Sequence, residues 1–259
     1  MCGRYATTRS DADLSLLFDA VNVTEGLEPS WNVAPTDPVP LVRMSQRQGG
    51  RVLDTARWGL VPPWSADLRG GARMINARAE TVATSPAFAS SFAKRRCLIP
   101  ADGWYEWVRA GKGKQAYYMT PLAGSPLGSA PATDGPGLGG GTAPLAFAGI
   151  WTMWGDETLT CSVITTAALG GLAEVHDRMP LILPRERWSR WLAEPTRGGR
   201  PQMKTTTGGD PAALLQPLTP AELEAIEDRP VRPDVGNVRN NGPELITTPV
   251  PEPDPATLF

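Results

Sequence analysis

The 259 residues hold a single histidine, three cysteines and, among 25 basic residues, only four lysines. Cys2, Cys97 and Cys161 are odd in number and far apart. No two of them stand in a CxxC spacing, so the cysteines support neither a disulfide framework nor a zinc site. No metal and no cofactor is expected. No apolar run approaches the roughly 20 residues of a membrane span, so no membrane partner is expected. The amino end lacks the basic region and apolar core of a secretory signal, which points to a cytoplasmic protein. A net charge of −2 argues against a chain that is basic overall.

What is present is a globular composition, 41% hydrophobic and 20% charged, long enough for one large or two small domains. The charge is unevenly placed. Residues 1–120 carry 15 Lys and Arg against 11 Asp and Glu, and residues 121–259 carry 10 against 16. A local basic surface and ordinary scatter both fit that asymmetry. Arginine suits bidentate phosphate contacts, although a genome's base composition also favours arginine codons.

Ser10 reads as the N-cap of a helix through about Ala20, with acidic residues in its first turn. Val33–Pro35 and Val39–Val42 read as extended, and Val52–Trp58 as a strand entering the loop Gly59–Trp64. Ala87–Ala93 reads as a helix and Arg96–Pro100 as a short buried strand. Trp104–Val108 and Ala116–Met119 read as strands paired around Gly111-Lys112-Gly113. Leu122–Ala143 is dominated by Gly, Pro, Ser and Ala, a flexible insertion between strands. Strands resume at Leu145–Trp151 and Leu159–Thr165. Pro184–Leu192 and Pro220–Glu227 read as helices, and 249–259 as a proline-rich disordered tail. Many short strands with few helices describe an irregular, mainly β, α+β domain.

Residue 2 is the most informative position. A small second residue lets an initiator methionine be removed, which would leave Cys2 with an α-amine and a thiol together. An α-amine has a pKa of about 8 and is partly neutral at pH 7. The pair can trap an aldehyde, first as a Schiff base and then as a thiazolidine ring. A chance cysteine, buried or frayed, is the bland alternative. His176, beside Asp177 and Arg178, is either structural or a proton shuttle with a pKa of about 6.5. Glu106 lies among Trp104, Tyr105 and Trp107. It is either a desolvated carboxyl with a raised pKa or a strand residue facing solvent. Asn76, Arg78 and Glu80 alternate and would share one face of a strand; a turn with a surface salt bridge is the other reading. Arg4, two residues from Cys2, suits a phosphate. Trp31, Trp58 and Trp64 lie among arginines and offer either core packing or a stacking platform for bases.

Taken in order, these segments carry a resemblance. They are Met1-Cys2-Gly3-Arg4-Tyr5, Trp31-Asn32-Val33-Ala34-Pro35-Thr36, Arg57–Trp64, Asn76–Thr81, Ile99–Trp107, His176–Pro180 and Val238–Glu244. Over roughly residues 2–248 the chain closely resembles the SRAP family, the SOS-response-associated peptidase or abasic-site processing proteins. The resemblance implies a single α+β domain, 1–248, with a curved, barrel-like, mainly antiparallel β core and short peripheral helices. It implies a monomer that binds single-stranded DNA, associates with the nucleoid on damage, and captures abasic sites covalently, a lyase-like activity. By match to the family motifs, Cys2 is the nucleophile, Asn76 an orienting amide, Glu106 the proton acceptor for the Cys2 amine, and His176 the group acting on the sugar. Arg4, Pro35, Trp64 and Arg78 would contact DNA.

The chain departs from the family in the length of the 121–144 insertion and at Ala167-Ala168-Leu169, where an asparagine is expected near Thr165-Thr166. Two other functions remain open on the sequence. One is a cysteine peptidase acting mainly by autocatalytic removal of Met1. The other is a non-catalytic single-strand binding module.

Overall fold

The computed structural model describes residues 2–24, 26–111, 113–125, 127, 143–155, 157–193 and 211–249. Most of the 121–144 insertion and of the 249–259 tail therefore lies outside the described residues.

Five strands close a barrel. They are β4 (Pro38–Ser45), β5 (Gly50–Trp58), β7 (Arg96–Ala101), β10 (Leu145–Trp154) and β11 (Thr158–Ala167). The ladder runs β11-β10-β7-β4-β5 with antiparallel neighbours. It returns to β11 through a short parallel pairing of Arg57 with Thr160 and Trp58 with Cys161. Val39, Leu41, Cys97, Ile99, Phe147, Cys161 and Val163 fill one face of these strands. Val42, Leu53, Leu98, Ala148, Ile150 and Ile164 pack outward against helices. Burial on both faces explains why these strands read as near-continuous apolar runs.

Outside the barrel, β2 (Val21–Asn22) pairs with β5, while β6 (Asn76–Arg78) and β12 (Arg178–Pro180) both pair with β11. A second sheet has the order β13-β9-β8-β1-β3. Its strands are β1 (Tyr5–Thr7), β3 (Ser30–Val33), β8 (Gly103–Ala110), β9 (Gly113–Pro121) and β13 (Ile226–Val231). The hairpin of β8 and β9 turns at Gly111, whose φ of 55° needs no Cβ.

The helices are short and peripheral. In α1 (Asp11–Phe18) the Ser10 hydroxyl accepts from Asp13 N–H, as its place before an acidic first turn predicts. Phe18 stacks on Trp188 of α4 (Arg185–Leu192), the ring centroids 4.5 Å apart. The indole of Trp191 in α4 donates to the Cys97 carbonyl at 2.8 Å and ties the helix to β7. Among the described residues the other α-helices are α2 (Ala89–Lys94), α3 (Leu172–Val175) and α5 (Pro220–Leu223).

One expected element is corrected. The helix expected over 220–227 stops at Leu223, and Ile226–Val231 is instead β13, paired with β9 along six residues. Glu227, Asp228, Arg229 and Pro230 disguise it. An edge strand tolerates all four, because one side of its ladder is unpaired. Among the described residues no helix is long and apolar enough to cross a membrane, and no cluster of three His, Cys, Asp or Glu could hold a metal.

Candidate active site

Cys2 lies three residues ahead of β1, where the second sheet meets the barrel. Tyr5 pairs with Val33 on one side and Trp104 on the other. Tyr105 N–H donates to the Arg4 carbonyl at 2.9 Å, so the chain beside Cys2 is held to β8. Cys2 itself is fully buried among the barrel residues.

Asn76 opens β6, which β11 places by parallel pairing at Val163. Its Nδ2 donates to the Cys2 carbonyl at 2.7 Å. Its Oδ1 is buried and makes no hydrogen bond among the described residues. That oxygen is an acceptor suited to a hydroxyl or an ammonium.

Glu106 stands two residues beyond Trp104 on β8, on the same face, and is only 3% exposed. Of the two sequence readings, the desolvated carboxyl holds. Burial pushes its pKa up to about 7, while the positive charge at the chain's amino end pulls the other way. The Cys2 thiol is pushed up by burial and, next, by the charge of Glu106.

His176 follows α3 and is partly buried. Burial, then the charge at the amino end, lowers its pKa. Its Nδ1 accepts the Arg178 N–H at 3.0 Å and lies 2.8 Å from Asp177 Oδ1. One nitrogen cannot accept from Arg178 and donate to Asp177 at once. With a lowered pKa the neutral ring favours the Arg178 bond, which leaves the proton on Nε2.

Cys2 is thus joined to Asn76 by a hydrogen bond and to Glu106 by charge, while Glu106 and His176 both feel the charge at the amino end and that of Asp177. The flanking residues differ more. Arg78 shares a face of β6 with Asn76 and is exposed. Trp64 is 67% exposed, whereas Trp58 is wholly buried with its indole donating to the Ile75 carbonyl at 2.9 Å. Trp58 is therefore core, and Trp64 is a surface residue. Arg4 Nη1 donates to Asn32 Oδ1 at 2.7 Å and to the Val235 carbonyl at 2.9 Å, so Arg4 is fixed in place. Pro35 is half-buried in the turn after β3. Glu80 lies past the end of β6, and the turn-and-salt-bridge reading applies to it.

A family model described as SOS response associated peptidase (SRAP) matches residues 1–238. The chain belongs to the SRAP family. It is 34% identical over 252 residues to the abasic site processing protein YoqW of Bacillus subtilis, covering 95% of this chain and 99% of that one. It is 32% identical over 251 residues to YedK of Escherichia coli, likewise named an abasic site processing protein, covering 95% and 99%. Against HMCES of Rattus norvegicus it is 30% identical over 241 residues, covering 84% of this chain and 64% of that one. A solved structure from Bacteroides thetaiotaomicron shares the fold with a TM-score of 0.72 at 21% identity, covering 96% and 100% of the two chains.

Sequence reasoning assigned no role to two further residues of this SRAP chain. Arg178 holds both Glu80 oxygens, at 2.7 and 3.0 Å, and donates to the Thr165 carbonyl at 2.6 Å. It thereby fixes the strand that follows His176. Asn32, 3% exposed, accepts from Arg4 and donates to the carbonyls of Asn237 and Asn240 at 3.0 and 2.7 Å. Both stand inside motifs, but their partners are distant in sequence and could not be read from it.

Proposed function

We propose that the protein processes abasic sites in single-stranded DNA by capturing them covalently on Cys2. The observation that carries this reading is the bond from Asn76 to the Cys2 carbonyl, beside a buried Glu106 whose pKa is raised to about 7. The names borne by the SRAP relatives supply the substrate class.

Hydrolysis of the bond after Met1 first frees the Cys2 α-amine. Glu106 then takes a proton from the α-ammonium. The two pKa values, about 7 and about 8, are close enough for the transfer in either direction. The neutral amine attacks C1′ of the ring-opened sugar, and one water leaves as the Schiff base forms. The Cys2 sulfur next adds to C1′. A C–S bond forms, the C=N pair returns to nitrogen, and the thiol proton moves to that nitrogen. The thiazolidine is complete with one water lost overall and no oxidant required.

His176, neutral with Nδ1 turned to Arg178, can exchange a proton with a sugar hydroxyl through Nε2 and so assist ring opening. Asn76 fixes the Cys2 backbone and offers Oδ1 to the bound sugar or amine. Arg78 and Arg4 would meet phosphates, Trp64 would stack on an unpaired base, and Pro35 would border the strand. A turning-over cysteine peptidase fits less well. Such enzymes need a depressed thiol pKa, and burial drives that of Cys2 upward.

The test is denaturing gel electrophoresis after incubation with single-stranded DNA bearing one abasic site, with Met1 removal verified by mass. A shifted band that survives denaturation and vanishes in Cys2→Ala supports the reading. No shift with a verified free Cys2 rejects it.

A further inference from the structure

Ala34, Pro35, Thr36 and Asp37 form a tight turn in which Asp37 N–H donates to the Ala34 carbonyl at 3.1 Å. Thr36 has a φ of 80°. Proline in the second place and positive φ in the third describe a type II turn, whose third place favours glycine or asparagine. Threonine is a poor choice there, because a β-branched residue at positive φ crowds its own backbone.

Four bonds beyond the turn's own hold it in this shape. Thr36 N–H donates to the Trp58 carbonyl at 2.8 Å, and Arg57 Nη1 donates to the Thr36 carbonyl at 2.7 Å. Trp58 N–H donates to the Asp37 carbonyl at 2.9 Å, and Ala34 N–H to Asp37 Oδ2 at 2.9 Å. Strain of this kind persists only where the surroundings over-determine it, and it gathers at functional sites.

The same contacts lead to Cys2. The Trp58 indole binds the carbonyl of Ile75, and the next residue, Asn76, binds the carbonyl of Cys2. The pairing of β3 with β1 is antiparallel and has Val33 opposite Tyr5. Past that pair the two chains continue as Ala34-Pro35-Thr36 and Arg4-Gly3-Cys2. The charge of Asp37 is felt at Arg4 and Tyr5.

We propose that Thr36 is a positioning residue for the capture reaction: its strained, multiply bonded backbone fixes the turn that borders Cys2. The inference rests on the capture reading above. A glycine at 36 would adopt the same φ without strain, yet would let the turn sample other conformations. The sugar would then spend less time within reach of the Cys2 amine.

Thr36→Gly and Thr36→Ala separate backbone from side chain. Three quantities are measured: melting temperature, affinity for an intact single strand, and single-turnover crosslinking rate at saturating abasic strand. Thr36→Gly should melt at or above the native temperature, keep its affinity within about twofold, and crosslink roughly tenfold more slowly. Thr36→Ala keeps the Cβ and should crosslink at close to the native rate. A native rate in Thr36→Gly overturns the inference. So does a lower melting temperature in Thr36→Gly, which removes the strain, or an equal loss in Thr36→Ala, which assigns the effect to the side chain. If the native chain with a free Cys2 forms no crosslink, the capture reading itself fails and takes this inference with it.

Discussion

Asn76 and Cys2, 74 residues apart in the chain, are joined by one hydrogen bond of 2.7 Å from the Asn76 amide to the Cys2 carbonyl. The bond grips the backbone of Cys2 without engaging its nitrogen or its sulfur, the latter in reach of the Arg4 backbone N–H. Asn76→Ala should therefore lower stability by only about 1 kcal/mol, the usual net worth of such a bond. Loss of orientation should slow crosslinking roughly 10- to 100-fold. Thermal melts and single-turnover gels on one preparation check both.

Glu106 should oppose stability as it serves chemistry. Its carboxyl binds a proton more readily in the folded chain, at about 7, than unfolded, at 4.5. The stability it contributes is full below pH 4.5 and is lost as pH rises through 7. Glu106→Gln should therefore stabilise the chain above pH 7 by about 1–3 kcal/mol. It should also slow capture about 10²- to 10⁴-fold and abolish the rise of the native rate with pH near 7. Denaturant titrations at pH 5 and pH 8, paired with rate profiles, measure these effects.

Trp64 touches solvent more than protein, so Trp64→Ala should leave the melting temperature unchanged. If it stacks on a base, affinity for an intact single strand should fall by about 1–3 kcal/mol, a factor of roughly 5 to 150. Fluorescence anisotropy with a labelled oligonucleotide reads the difference. An unchanged affinity removes Trp64 from the DNA path.

Gly103 opens the strand that carries Glu106. A Cβ there would press on the Met119 carbonyl and, at 2.6 Å, on the Tyr118 ring. Backbone cannot yield as a flexible side chain does, so Gly103→Ala should destabilise by about 1–3 kcal/mol or more. The expected readout is a lowered denaturation midpoint with an unchanged dependence on denaturant.

Much of this was written locally. Ser10 announces α1, and Gly111 announces the β8–β9 hairpin. Cys2 and Glu106 stand out because their residue types are unusual at their places: a thiol directly after an initiator methionine, and an acid among aromatics. What could not be read depends on distant partners. Barrel closure rests on Arg57 and Trp58 meeting Thr160 and Cys161, a pairing with no local signature. β13 was hidden by charged residues and Pro230, which only an edge position admits. The aromatic pattern left Trp58 and Trp64 equivalent, and tertiary packing alone divides them into core and surface. Thr36 breaks the sequence preference of its own turn, so no turn rule could have assigned its conformation.

In the proposed capture, the amine and the thiol of one residue, Cys2, together hold the abasic sugar. Mass spectrometry of the digested crosslink, after thiol alkylation, separates this attachment from any other. Capture on Cys2 yields an amino-terminal peptide beginning at Cys2, carrying the sugar with one water lost and a sulfur that resists alkylation. An adduct on a lysine, or on a Cys2 whose thiol is still alkylated, rules that attachment out.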